Sequence, residues 1–329
     1  MSGSEFKIIQ SYFSEPEQEN RSDVILGIGD DCAIVAPRET SQLAFSIDTL
    51  ISGVHFPHNT AADAIAYKAL AVNLSDLAAM GAEPAWFTLS LTLPEELSKN
   101  NWLDAFSQSL FSLAKQYHIN LIGGDTTHGP LSITIQVAGY VEADAAIKRC
   151  GAKVGDVIVV TGVLGAAAMG LDIALQQSAD NYICLSDTEK KSALNALNYP
   201  KARVVEGLNL RSIAHAAVDL SDGLYADLGH ILKASNVAAE LQLEKLPLSE
   251  TLSCLNQETA WEKALTGGDD YELCFTLSKD DWPQVSKKNP QFTAIGRIVS
   301  QQPDQKNLRL LKTNGEELIF HSRGYDHFG

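Results

Sequence analysis

Leu121-Ile-Gly-Gly-Asp-Thr-Thr127 runs from an apolar strand into two glycines and a carboxylate, after a helical stretch from about Trp102 to Tyr117. Helix, strand, glycine turn and acid in that order point to an α/β chain, whose open sheets gather ligands outside their strand ends. Gly123 and Gly124 would let backbone N–H groups approach a phosphate while Asp125 holds a metal. A tight loop capped by the Asp is the plain alternative.

The same pattern recurs on both sides. Asp30 and Asp31 close Leu26-Gly-Ile-Gly-Asp-Asp31, and Asp48 ends the apolar run Phe45-Ser-Ile-Asp48. Asp76 lies in Asn73-Leu-Ser-Asp76, and Asp219 and Asp222 in Val218-Asp-Leu-Ser-Asp-Gly223. Two like charges about 4 Å apart repel by roughly 1 kcal/mol in water and about 4 kcal/mol near a protein surface. Acids gathered at strand ends therefore require cations. Oxygen-only donors point to Mg²⁺, and Mg²⁺ points to phosphate substrates.

The rest of the chain keeps the alternation. A short amphipathic helix is expected over Glu5–Phe13, and strands over 24–28 and 33–35 flank the Gly-Asp-Asp turn, which a simple hairpin would also explain. A strand over 43–47 ends at Asp48. A helix over 61–80 is N-capped by Thr60, with Asp63 as a capping-box variant, and stops at Gly81; Asn73 and Asp76 share a face of it. Strands follow over 86–93 and 131–141. Composition changes between Ile147 and Gly155, which divides the chain into an N-terminal α/β domain, 1–147, and a C-terminal one, 148–329. There, strands over 157–160, 216–220, 272–277, 293–299 and 308–311 alternate with helices after Gly165 and over 202–210 and 223–235. Residues 176–191 read as irregular. Ser221 or Asp222 is the expected N-cap of the helix that follows, and either also suits a nucleotide at a helix N-terminus.

The 329 residues exceed one ordinary core, and 45% apolar with 20% charged residues describes a folded globular protein. A formal net charge of −16 opposes nucleic acid and anionic membrane surfaces. The five cysteines are widely spaced with no C-x-x-C, so reduced thiols in a cytoplasmic protein are expected. No P-loop, G-x-G-x-x-G or protein-kinase motif is present, so phosphate transfer from ATP would use another scaffold. His55 follows the Asp48 strand and a structural role is its plain reading. Arg149 is one of few cations near the domain junction, a surface Arg by default and a good polyphosphate ligand by chemistry.

Several blocks together resemble the bacterial thiamine-monophosphate kinase family. They are 26–33, Asp48-Thr-Leu-Ile-Ser-Gly-Val-His-Phe56, Ala71-Val-Asn-Leu-Ser-Asp-Leu-Ala-Ala-Met-Gly81, 121–127, 219–224, Gly267-Gly-Asp-Asp-Tyr-Glu-Leu273 and the tail Gly324-Tyr-Asp-His-Phe-Gly329. They follow the family's order along nearly the whole chain. The resemblance implies a two-domain fold shared with aminoimidazole ribonucleotide synthetase, with mixed sheets flanked by helices, and a homodimer built through the N-terminal domains. It implies ATP-dependent phosphorylation of thiamine monophosphate to thiamine diphosphate with several Mg²⁺ ions. By matching position, Asp30, Asp31, Ser46, the Ile47 backbone, Asp48, Asp76, Asp125, Asp219 and Asp222 are the metal set. Gly124, Asp125, Arg149 and Ser221 are nucleotide contacts, and His55, Asp269 and Tyr325 substrate contacts. Asp269 stands where the family commonly has Glu, which shortens the reach by one methylene. The rival readings are another ATP-using enzyme of this fold, such as aminoimidazole ribonucleotide or selenophosphate synthetase, and a noncatalytic Mg-nucleotide-binding protein. Residues 1–22 hold no Cys and one Gly, which argues against the selenophosphate enzyme.

Overall fold

The computed structural model describes residues 5–14, 21–99, 101–177, 182–303 and 306–319. The chain forms two compact units, one of Met1–Leu77 with Ala82–Asp144, the other of Ala78–Gly81 with Ala145–Gly329.

In the first unit a short helix, α1 (Glu5–Ile8), runs into a π-helical turn over Ile9–Phe13. Strands β1 (Val24–Leu26) and β2 (Ile34–Val35) form an antiparallel pair around the Gly-Asp-Asp turn. β3 (Ser41–Ile51), β4 (Glu83–Leu93), β5 (Asn120–His128) and β6 (Ser132–Glu142) make a mixed sheet in the order β3-β6-β4-β5, with only β4 and β5 parallel. Helix α2 (Ala62–Ala79) is apolar nearly all round and is buried along most of its length, as a core helix must be. It ends at Gly81, whose φ of 63° lets Ala82 N–H reach Leu77 O at 2.7 Å and Gly81 N–H reach Ala78 O at 3.0 Å. Helix α3 (Trp102–Gln116) is amphipathic and buries Leu103, Phe106, Leu110 and Leu113.

Two expectations are corrected here. Asp48 lies inside an 11-residue strand rather than at its end. The segment 123–127, read as a turn, is the continuation of β5. The register with β4 slips between Phe87 and Thr88, so Ile122 is an extra residue, a bulge. Gly124, at φ 155°, runs so close to β4 that a Cβ would collide with the Leu89 carbonyl. That backbone approach explains Gly124, whereas a Cβ at Gly123 would meet open space.

The second unit is built on a six-stranded sheet. Its strands are β7 (Val157–Val160), β8 (Ala216–Asp219), β9 (Ala238–Gln242), β10 (Leu273–Leu277), β11 (Thr293–Val299) and β12 (Leu308–Leu311), in the order β12-β9-β11-β7-β10-β8. Only β12 and β9 pair in parallel. Its helices are α4 (Ala166–Ala174), α5 (Asp187–Asn198), α6 (Val204–Leu210), α7 (Leu224–Ser235), α8 (Gln257–Thr266) and α9 (Trp282–Lys288). Leu224, Leu228, Ile231 and Leu232 of α7 pack with Val218, Ile158, Val160 and Ile295 of the sheet and with Trp261 and Leu265 of α8.

The stretch 176–191 is not wholly irregular, because α5 begins within it. Ser186 accepts the Glu189 N–H, and the Glu189 carboxylate accepts the Ser186 N–H, a full capping box. The expectation of five reduced thiols is also corrected. Cys184 and Cys254 form a disulfide, while Cys32 and Cys150 are exposed thiols and Cys274 a buried one. The two half-cystines are 70 residues apart in sequence and 6.3 Å apart at Cα. Only the packing of the segments ahead of α5 and α8 brings them together. No helix among the described residues is long and apolar enough to cross a membrane.

Candidate functional site

In the first unit, side-chain alternation along β3 divides its residues between two faces. Phe45, Ile47 and Ile51 are exposed on one face, and Leu50 is buried on the other, which Ser46 and Asp48 share. Asp76, on α2, meets that second face. The Ser46 hydroxyl donates a short hydrogen bond to Asp76 Oδ2, and Asp48 and Asp76 share a further one. Desolvation, then the charge of Asp76 and this shared bond, push the Asp48 carboxyl up to about 6 from a usual 3.8. Two carboxylates in hydrogen-bond contact hold a proton between them when nothing else supplies positive charge. Asn73, three residues before Asp76, is fully buried and donates to Ala69 O at 3.0 Å. Its Oδ1 has no hydrogen-bond partner among the described residues.

The other predicted groups of this unit lie apart from that pair. Asp30 and Asp31 are exposed on the β1–β2 turn, where Asp31 N–H donates to Asp30 Oδ1 at 2.8 Å. Asp125 is exposed on β5, at the sheet edge opposite β3. Gly124 and Asp48 share one row across four strands, about 14 Å at the usual strand spacing. Ile47 contributes a side chain to the exposed face, so only its backbone can serve a ligand near Asp48. Among the described residues no group of three or more His, Cys, Asp or Glu is gathered closely enough to hold a metal. His55 has a defined tautomer. Its Nδ1 accepts Ile51 N–H at 3.0 Å, which leaves the proton on Nε2. Lys68 of α2, almost fully buried, reaches the His55 carbonyl at 3.4 Å.

In the second unit Asp219 ends β8 and is buried, paired in register with Leu273 of β10. The expected cap of the following helix is corrected. Gly223 occupies the N-cap position at φ 110°, a conformation that suits glycine, and neither Ser221 nor Asp222 caps α7. Asp227 takes over the task from the first turn. Its Oδ2 accepts Asp222 N–H and Gly223 N–H, both at 3.1 Å. Burial, then the charges of Asp219 and Asp222, push its carboxyl up to about 8. The sequence reading passed over Asp227, although an acid in the first turn of a helix is a recognised signal.

The segment 267–271 is laced to the end of β8. Asp269 N–H donates to Ser221 O at 3.0 Å and Tyr271 N–H to Leu220 O at 2.9 Å. Asp269 and Tyr271 both have positive φ, 68° and 47°, uncommon for residues with a side chain and often found where a structure over-determines a functional geometry. The Tyr271 hydroxyl donates to Asp269 Oδ1 at 3.2 Å. Asp270 accepts Gly165 N–H at 2.8 Å at the start of α4, and desolvation raises its carboxyl well above the ordinary range. Arg149 is exposed in this unit. Tyr325 lies outside the described residues.

The donor set in both units consists of oxygen atoms, which suits Mg²⁺. In each, burial and then neighbouring carboxylates hold a carboxyl protonated at higher pH than usual, and a divalent cation would relieve the repulsion between the carboxylates.

The chain matches AIR synthase related protein, N-terminal domain, over residues 29–141, and AIR synthase related protein, C-terminal domain, over residues 153–305. It is 45% identical to the thiamine-monophosphate kinase of Escherichia coli (strain K12) over 340 aligned positions, covering 100% of this chain and 99% of that one. It superposes on the crystal structure of thiamine-monophosphate kinase from Stenotrophomonas maltophilia K279a with a TM-score of 0.81 at 47% identity, covering 91% of this chain and 93% of that chain. AaThiL complexed with AMPPCP and TMP is 29% identical, with a TM-score of 0.76 and 89% of each chain covered.

Proposed function

We infer that this chain, which belongs to the thiamine-monophosphate kinase family of AIR synthase related proteins, transfers the γ-phosphate of ATP to thiamine monophosphate and so makes thiamine diphosphate. End-to-end kinship with named kinases of this activity carries the reading. A relative of the same fold solved with AMPPCP and TMP supports both substrates.

The reaction joins two anions. A phosphate oxygen of thiamine monophosphate attacks the γ-phosphorus in line; the new P–O bond forms as the bond to the bridging oxygen breaks, and ADP leaves. The attacking oxygen is already ionised near neutral pH, so no strong general base is needed. The task is alignment and charge screening. Mg²⁺ ions, when bound, neutralise the phosphates and the leaving diphosphate. In the first unit Asp48, Asp76, Ser46 and the Ile47 carbonyl would hold one Mg²⁺, and Asp30, Asp31 and Asp125, which stand apart from that pair, would serve others; in the second unit Asp219 and Asp222 would do so.

The chain's own groups then orient the substrates. His55 offers its Nε2–H to a phosphate oxygen because Nδ1 is already engaged. Gly124, Asp125, Arg149 and Ser221 serve the nucleotide. Asp269, steadied by the Tyr271 hydroxyl, suits the cationic thiazolium, with Tyr325 as its aromatic partner. The chain works as a homodimer in the cytoplasm, and the exposed Phe45, Ile47 and Ile51 on the edge strand β3 support self-association.

A transfer assay with ATP and thiamine monophosphate, beside unphosphorylated thiamine, tests the reading. Thiamine diphosphate should form from the monophosphate alone. ATP consumption that is indifferent to the monophosphate would overturn it.

A further inference from the structure

The Arg149 side chain is exposed and makes no hydrogen bond or ion pair among the described residues. The other arginines among the described residues, Arg21, Arg38, Arg203, Arg211, Arg297 and Arg309, each donate to a carboxylate or carbonyl oxygen. The Arg149 backbone is nonetheless held firmly. Ser235, the last residue of α7, donates its hydroxyl proton to Arg149 O at 3.2 Å and accepts Gly151 N–H at 3.1 Å and Ala152 N–H at 3.2 Å. A serine hydroxyl has one donor and two acceptor sites, so its whole hydrogen-bonding capacity is committed to this turn.

Neighbouring contacts close the turn from the other side. Ala217 N–H of β8 donates to Lys148 O at 3.1 Å. Gly151, at φ 123°, passes so close to the His215 carbonyl that a Cβ would collide with it. Asp156 accepts Lys153 N–H at 2.8 Å and pairs with His215 Nδ1 at 2.8 Å. The Cα–Cβ direction of Arg149 is thus fixed while its head remains unengaged. Such a group loses less freedom when it takes an anion than one on a mobile loop.

We propose that Ser235 is a positioning residue that sets Arg149 against the phosphates of the nucleotide. The inference rests on the nucleotide role given to Arg149 above. Removing the hydroxyl frees the turn and weakens ATP binding without touching thiamine monophosphate or the transfer step.

A double-mutant cycle with steady-state kinetics on the full-length enzyme tests it. Ser235→Ala should raise KM for ATP by about five- to tenfold, with kcat and KM for thiamine monophosphate little changed. Ser235→Thr, which keeps the hydroxyl, should restore the ATP KM. Ser235→Cys, nearly isosteric but a weak hydrogen-bonding group, should shift it the same way as Ala and serves where Ser235→Ala melts too low to assay. In an Arg149→Ala background, Ser235→Ala should add nothing to the ATP KM. If Arg149→Ala raises the ATP KM and the Ser235 variants do not, or if their effects simply add, the positioning role is overturned. If Arg149→Ala leaves the ATP KM unchanged, the nucleotide role of Arg149 fails, and the inference with it.

Discussion

Asp48→Asn should make the first unit more stable while abolishing transfer. In the absence of metal, burial and then the opposing charge of Asp76 lift the Asp48 carboxyl from 3.8 to about 6. A tenfold change in proton affinity corresponds to about 1.4 kcal/mol, so the burden at pH 7 is at most about 3 kcal/mol. Asp48 is half-buried, and solvent screening reduces this to about 1–3 kcal/mol. For a domain of this size that is roughly 2–12 °C in melting temperature. The dependence on pH has a definite sign. Because the folded pKa lies above the unfolded one, protonated Asp48 stabilises the fold. That stabilisation is complete below about pH 4 and is lost as pH rises through about 6. The advantage of Asp48→Asn should therefore be largest at pH 7.5 in EDTA and vanish near pH 4. Differential scanning calorimetry of both proteins across this range, with and without Mg²⁺, supplies the test. Mg²⁺ should raise the melting temperature of the wild type and much less that of the variant. A variant that melts at or below the wild type at pH 7.5 in EDTA, or responds to Mg²⁺ as the wild type does, would refute the reasoning.

The other predictions are simpler. Gly124→Ala should destabilise the first unit by about 3 kcal/mol or more in a urea melt, since the new Cβ collides with the Leu89 carbonyl at a backbone angle unsuited to alanine; an unchanged midpoint would contradict the close β4–β5 approach. Ser186→Ala should cost about 1 kcal/mol by loss of the α5 capping box, with kcat unaltered in the transfer assay. Phe45→Asp should shift the protein to a monomer in light scattering if the β3 face is where two copies meet; a dimer that persists places the interface elsewhere.

The sequence disclosed the acids better than their settings. Asp48 is legible from the alternation of Phe45-Ser-Ile-Asp48 and Asp76 as a polar residue beside Asn73 on an otherwise apolar helix, and β3 and α2 do bring the pair together. Gly123-Gly124 reads as a strand-ending turn that puts Asp125 in a loop; in the fold Gly124 instead admits the β4 backbone, which only the β4–β5 register reveals. α5 went unread despite Ser186-Asp-Thr-Glu189, a cap signal obscured by the polar residues around it. β9 escaped because Glu240 interrupts its apolar pattern. In the fold that carboxylate is paired with Arg297 of β11 at 2.7 Å and Arg309 of β12 at 2.9 Å, an ion-pair ladder that has no local trace in sequence. The Cys184–Cys254 pairing and the grip of Asp227 on the start of α7 likewise depend on tertiary packing or on a side chain folding back on its own helix.

The most direct test of the metal-holding carboxylate pair is a magnesium titration of phosphate transfer to thiamine monophosphate, in the wild type and in Asp76→Asn. The wild type should be inactive in EDTA and recover as Mg²⁺ is added, while Asp76→Asn keeps its circular dichroism and turns over slower by orders of magnitude at saturating Mg²⁺. Transfer that survives thorough chelation, or an Asp76→Asn enzyme that works at nearly the normal rate, would contradict the account.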